Sequence, residues 1–157
     1  MGTRSRIGIL YGDGEKLKVK SIYCHWDGYP EYNGAMLMKY YNNYGRTEQL
    51  LELGDISVLK KKITPSTTHT FEEPEPDVTI AYSRDRGEEK RILEMDFEEF
   101  KDYVKDSDIE YVYLRYKDEW LYAELNYDYI TYNSVLGAFR PLKYKIERLE
   151  KEGKLCI

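Results

Sequence analysis

Alternation of apolar and polar positions marks two stretches of the chain. Residues 4–11 carry Ile7, Ile9 and Tyr11 at every second position, and residues 15–24 set Leu17 and Val19 against Lys16, Lys18 and Lys20. Gly12-Asp13-Gly14 between them is a turn signal, so the two runs predict a β-hairpin. A three-residue loop pairs Tyr11 with Glu15, Ile9 with Leu17 and Ile7 with Val19. That register gathers Arg4, Arg6, Lys16, Lys18 and Lys20 on the opposite face, as a solvated edge or as an anion-binding stripe. Glu110 to Tyr116 and Trp120 to Leu125 predict a second hairpin around Lys117-Asp118-Glu119. Val112, Leu114 and Tyr116 point to one side of it, and Tyr111, Tyr113 and Arg115 to the other.

Elsewhere the period lengthens to that of a helix. Leu37, Tyr40, Tyr41 and Tyr44 share a face between Gly34 and Tyr44, with Asn33 as cap or Pro30 opening an earlier start. Thr47 caps a short second helix, Glu48 to Leu53, stopped by Gly54. Asp96 and Glu99 open a helix with Phe97, Phe100 and Val104 inward, ending near Lys105, and Pro141 opens a last one with Leu142, Ile146 and Leu149 inward. Ile56, Val58 and Leu59 form a short apolar patch. Val78 to Tyr82 reads as a strand onto which Lys90 to Glu94 pairs back. Lys60 to Asp77, with prolines alternating with acids, is a long surface loop. Asn126 to Arg140 is rich in tyrosine and follows neither period. No internal repeat appears. The expected fold is a single α+β domain over 1–157, with antiparallel β-hairpins forming a sheet and three to four helices packed on it. Within it, 1–95 holds the distinctive motifs and 96–157 is a tyrosine-rich part packed against them.

Composition narrows the possible partners. A net charge of −5 over 157 residues disfavours general nucleic-acid binding, which needs a basic excess, but leaves room for a local pocket for a small anion. No apolar run reaches the roughly 18 residues of a membrane span, and the basic start is not followed by the apolar core of a signal peptide. Two widely separated cysteines, Cys24 and Cys156, fit a reducing compartment. Tyrosine is over-represented, at 17 residues, which suits a binding surface, a homo-oligomer contact or half-buried sheet positions.

The chemistry concentrates between Ser21 and Gly34. On a continuous strand Cys24 and His25 face opposite ways and form no dyad, and His69 would reach Cys24 only if the long loop folded back. No spacing specifies a metal site, a P-loop or a dinucleotide fingerprint, so no cofactor is expected. Trp26-Asp27-Gly28-Tyr29-Pro30 reads as a tight turn in which Asp27 bonds its own backbone, Gly28 takes a positive φ and Pro30 launches the helix. The same corner can hold a ring or a base between His25, Trp26, Asp27 and Tyr29. Arg84 and Arg86 can fork onto a phosphate, or be neutralised by Asp85 and Glu88 in an exposed turn.

The opening Gly2-Thr3-Arg4-Ser5-Arg6-Ile7-Gly8, the core Ile22-Tyr23-Cys24-His25-Trp26-Asp27-Gly28-Tyr29-Pro30, Leu53-Gly54-Asp55-Ile56-Ser57 and Ala81-Tyr82-Ser83-Arg84-Asp85-Arg86-Gly87-Glu88 together resemble a family of small tailed-bacteriophage proteins without an established activity. The resemblance covers roughly the first 90 residues. It implies an accessory protein in the cytoplasm of an infected bacterium that counters host defence by binding. The target is either a small anionic, nucleotide-like signal at His25, Trp26, Asp27, Tyr29, Arg84 and Arg86, or a host immune protein. A hydrolase or nuclease acting on such a signal through His25, Asp27 and His69 is the alternative from another class. A structural or regulatory phage protein is the third.

Overall fold

The computed structural model describes residues 2–125 and 139–157. All but the last two residues of the tyrosine-rich stretch 126–140 lie outside the described residues. Among those described, the elements run β1 (Ser5–Tyr11), β2 (Lys18–Cys24), α1 (Ala35–Tyr40), α2 (Tyr44–Leu51), β3 (Ile56–Val58), β4 (Ile80–Ala81), α3 (Tyr82–Arg86), β5 (Leu93–Asp96), α4 (Phe97–Lys105), β6 (Tyr111–Tyr116), β7 (Glu119–Glu124), β8 (Arg140–Pro141) and α5 (Leu142–Lys151).

The fold is α+β, with eight strands in one sheet and five helices among the described residues, against the three to four expected, because Tyr82–Arg86 forms a short helix and Arg84 and Arg86 do not sit in a turn. The sheet is mixed, which corrects the expectation of antiparallel hairpins alone. Strand order is β4-β3-β2-β1-β6-β7-β8, and β5 pairs with the first half of β2 on the edge whose far end meets β3. The β1–β2 and β6–β7 hairpins are present, but they join through a parallel β1–β6 pair running from Ser5↔Tyr111 to Leu10↔Tyr116. After the first hairpin the chain wraps both faces of the sheet before β6 returns alongside β1 in the same direction. Lys90 to Glu94 does not pair back on β4; Leu93–Asp96 lines up on β2 instead.

The register of the first hairpin also differs from expectation. A 3-10 turn at Gly14–Lys16, closed by Lys16 N–H donating to Asp13 O at 2.9 Å, lengthens the loop, so Tyr11 pairs with Lys18 and Ile9 with Lys20. The offset is odd, and an odd slip moves every side chain to the other face. Lys18 and Lys20 therefore share a face with Ile9 and Tyr11. Arg6 lies on the opposite face, buried, donating to Ser21 Oγ at 2.9 Å and Ser21 O at 3.0 Å. The basic stripe does not form.

Each face of the sheet has its own core. Ile7, Ile9, Ile22, Tyr113, Trp120 and Tyr122 pack beneath Leu37, Tyr41, Leu50, Leu142, Ile146 and Leu149 of the α1, α2 and α5 layer. Leu10, Val19, Val112 and Leu114 pack beneath Phe100 and Val104 of α4. Each fully buried aliphatic or aromatic side chain contributes roughly 1.5–3 kcal/mol. Asn43, not Thr47, caps α2: its side chain accepts from Arg46 N–H at 2.7 Å, while the Thr47 hydroxyl donates to the carbonyl of Asn43 at 2.8 Å.

Candidate functional site

The sharp corner at the end of β2 follows from where its backbone groups find partners. His25 N–H and Trp26 N–H donate to Ile56 O (3.2 Å) and Ser57 O (3.0 Å), extending β2 along β3. Asp27 then breaks the line with φ 58°. The sequence suggested Gly28 for the positive φ. Gly28 is needed for a different reason: a Cβ there would lie 2.7 Å from Thr3 O and 2.9 Å from Ser5 Cβ. Its N–H donates to Thr3 O at 2.8 Å and its carbonyl accepts from the buried Tyr113 hydroxyl at 2.6 Å. The Asp27 side chain bonds a side chain of the turn and not the expected backbone: Oδ1 accepts from the Tyr29 hydroxyl at 2.7 Å, and that bond foremost pushes the phenol up to about 12. Pro30 opens a single wide turn, Pro30–Gly34, that leads into α1.

Beneath the corner lies Cys24, fully buried, with burial pushing its thiol up to about 11, far from a thiolate at neutral pH. Buried Asn33 donates from Nδ2 to Ser5 Oγ at 3.1 Å and to Cys24 Sγ at 3.4 Å. Above it, His25 Nδ1 meets the Tyr23 hydroxyl at 2.7 Å, and the edge of its ring meets Trp26 at a centroid distance of 4.8 Å. Burial, then the charge of Arg4, holds His25 below the ordinary imidazole range, so it is neutral at pH 7. Trp26 remains 42% exposed, unusual for a side chain of its size.

Arg84 and Arg86 part company. Arg84 turns into the 60–77 loop, donating to Ile63 O at 2.6 Å, Thr79 O at 2.7 Å and Asp85 Oδ1 at 2.7 Å. Asp85 also accepts from His69 Nε2 at 2.9 Å and Ala81 N–H at 2.8 Å. Burial works against its charge, and these partners outweigh burial, leaving its carboxyl below the usual range. His69 accepts from Glu75 N–H at Nδ1 (2.9 Å), which fixes the proton on Nε2. His69 therefore serves Asp85, and both its ring nitrogens are engaged. Arg86 instead stacks over Phe71 and Tyr82, at 4.3 and 5.0 Å from their centroids, and pairs with Glu88.

Arg86 borders a surface cleft of about 340 Å³ lined by Tyr23, Asp55, Tyr82, Arg86, Glu88, Glu89 and Arg91. Tyr23 belongs to both the cleft and the corner. Sequence reading did not pick out Asp55, Tyr82 or Arg91 as site residues. The one local signal is Gly54: with φ 75° it packs so closely on the next segment that a Cβ would lie 2.8 Å from Lys90 Cγ and 3.1 Å from Arg91 N. That contact sets Asp55 beside Arg91. Chemically, the corner and cleft offer flat rings, two arginines and carboxylates. Among the described residues no group of three or more His, Cys, Asp or Glu side chains converges as a metal site, and no helix is long and apolar enough to cross a membrane. No family model, curated protein or solved structure matches the chain.

Proposed function

We propose that this protein acts by holding a small anionic nucleotide at the aromatic corner and its adjoining cleft, as a bacteriophage accessory protein that withdraws a host immune signal. The observation that carries the reading is the continuity of exposed Trp26 and half-buried His25 and Tyr23 with a cleft bordered by Tyr82, Arg86 and Arg91. Flat rings stack on a base, and arginines fork onto phosphate. Of the groups named for turnover, His69 is engaged at both nitrogens, and Cys24 beneath the corner is buried as a thiol, which favours binding over chemistry. Arg84, engaged by loop carbonyls, has no part in the ligand contact.

Thermal melting against a panel of mononucleotides, cyclic dinucleotides and ADP-ribose tests this. A ligand at about 100 times its Kd adds about 2.7 kcal/mol, a rise of roughly 5–10 °C in a domain of this size. The rise is expected to vanish in Trp26→Ala, whose exposed side chain contributes little to folding, and the ligand is expected to be recovered intact after heating. No rise with any nucleotide removes the reading in favour of a host protein as target. Recovery of a cleaved ligand moves it to the hydrolase class.

A further inference from the structure

We infer that Asp55 makes this cleft selective for guanine, as the base of a nucleotide with few phosphates; the inference rests on the nucleotide reading above. Asp55 is held by its own backbone and by half of its carboxylate. Its N–H donates to Arg91 O at 3.1 Å, its carbonyl accepts from Tyr82 N–H at 3.2 Å, and Oδ1 accepts from Tyr23 N–H at 2.9 Å. These three bonds fix the carboxylate between the two segments that supply the tyrosines of the cleft. No Lys or Arg pairs with it within 4.0 Å among the described residues, although Arg91 and Arg6 act on it from further away. Oδ2 is left as an acceptor on the cleft wall, and burial raises the cost of keeping it charged without a donor.

A carboxylate in a cleft lined by two tyrosines can recognise a planar ring with adjacent donors. Guanine presents N1–H and the N2 amine side by side, and both can reach one carboxylate, whose oxygens have about four acceptor sites. Adenine presents an acceptor at N1, which faces Asp55 unfavourably, and uracil and thymine present a single donor between two acceptors. The size agrees, since about 340 Å³ is at the lower end of the ~300–1,000 Å³ range for small-molecule sites. So does the charge: Asp55, Glu88 and Glu89 outnumber Arg86 and Arg91 along the lining, which disfavours a triphosphate.

Isothermal titration of the full chain with GMP, IMP and AMP tests the assignment. GMP is expected to bind about 10–100-fold more tightly than AMP, the discrimination of a good bidentate base contact, with IMP between them because it lacks the N2 amine. Asp55→Asn keeps the side-chain shape and the acceptor for Tyr23 N–H but turns the other oxygen into a donor. It is expected to weaken GMP about tenfold or more and leave AMP unchanged or tighter. AMP binding as tightly as GMP, or a GMP-to-AMP ratio that Asp55→Asn does not move, overturns the guanine assignment while nucleotide binding stands. Failure of all three to bind while a cyclic dinucleotide or ADP-ribose still raises Tm overturns the guanine assignment alone; failure of every nucleotide in the melting panel overturns the nucleotide reading and this inference together. The ranking in the unsubstituted chain decides the question even where the variant folds poorly.

Discussion

The two histidines sit in opposite kinds of surroundings. His69 has 1% of its side chain exposed, each ring nitrogen has a partner, and its carboxylate Asp85 is further held by Arg84 and Ala81 N–H. His25 has one nitrogen on Tyr23, an exposed tryptophan at its side and an open cleft beyond Tyr23. Both are polar clusters built around a histidine with charged groups nearby. The first is closed and locks the 60–77 loop to α3. The second has surface and acceptors left for a ligand. Whether a polar cluster is a clamp or a site depends on what remains after its internal bonds are made.

The contrast is testable by breaking the clamp and then the corner. Asp85→Ala leaves Arg84, His69 and Ala81 N–H without their shared acceptor, and is expected to cost about 3 kcal/mol, a fall in Tm on the order of 10 °C by calorimetry. A loss under 1 kcal/mol would make the clamp incidental. A smaller effect follows from Glu75, whose Oε1 accepts from the Thr67 hydroxyl and backbone at 2.5 and 2.6 Å and from Ser66 N–H at 2.9 Å. The Thr67 hydroxyl bond foremost holds this carboxyl down at about 2, below its ordinary 4.5. A depressed value means that the ionised form stabilises the fold, so the contribution is complete above pH 4.5 and is lost as pH falls toward 2. Hydrogen-exchange protection of the Ser66 and Thr67 amides is expected to drop across that window, ahead of the His25 and Trp26 amides, and Glu75→Gln is expected to flatten the drop. Smallest in stability is His25→Ala, expected to shift Tm by no more than about 3 °C while abolishing any nucleotide-induced rise. A large stability loss there would place His25 with the clamp.

Legibility in the sequence followed the same divide between local and distant determinants. The β6–β7 hairpin, α4 and α5 were readable because a strong period selects both element and face: Val112 and Leu114 face Phe100, Tyr113 faces the other core, and Leu142, Ile146 and Leu149 point inward. The first hairpin failed on register because Gly12-Asp13-Gly14 marks a turn without giving its length, and the extra 3-10 turn at Gly14–Lys16 flipped the faces. The β1–β6 pair was invisible, since it joins strands with most of the chain between them. At the corner, Asp27, Gly28 and Pro30 identified a turn; that Gly28 is needed for its close approach to Thr3 and Ser5, while Asp27 takes φ > 0, is set by packing against another segment and not by the local string. Arg84 and Arg86 looked equivalent two residues apart. Distant partners tell them apart: the carbonyls of Ile63 and Thr79 hold Arg84, and the rings of Phe71 and Tyr82 hold Arg86.

The position of β1 also bears on how the chain reaches its native state. Its hairpin with β2 can form early, being local, but its other edge is satisfied only by β6, after a separation of 106 residues at Ser5↔Tyr111. Until then a strand bearing Ile7, Ile9 and Leu10 presents an unpaired edge, open to the wrong chain as well as the right one. Closure of such a distant pair is slow compared with local pairing. During synthesis at about 5–20 residues per second, β1 would wait at least several seconds for its partner to emerge. A burst of concentrated expression therefore favours aggregation through β1, and slower or cooler expression favours the native sheet.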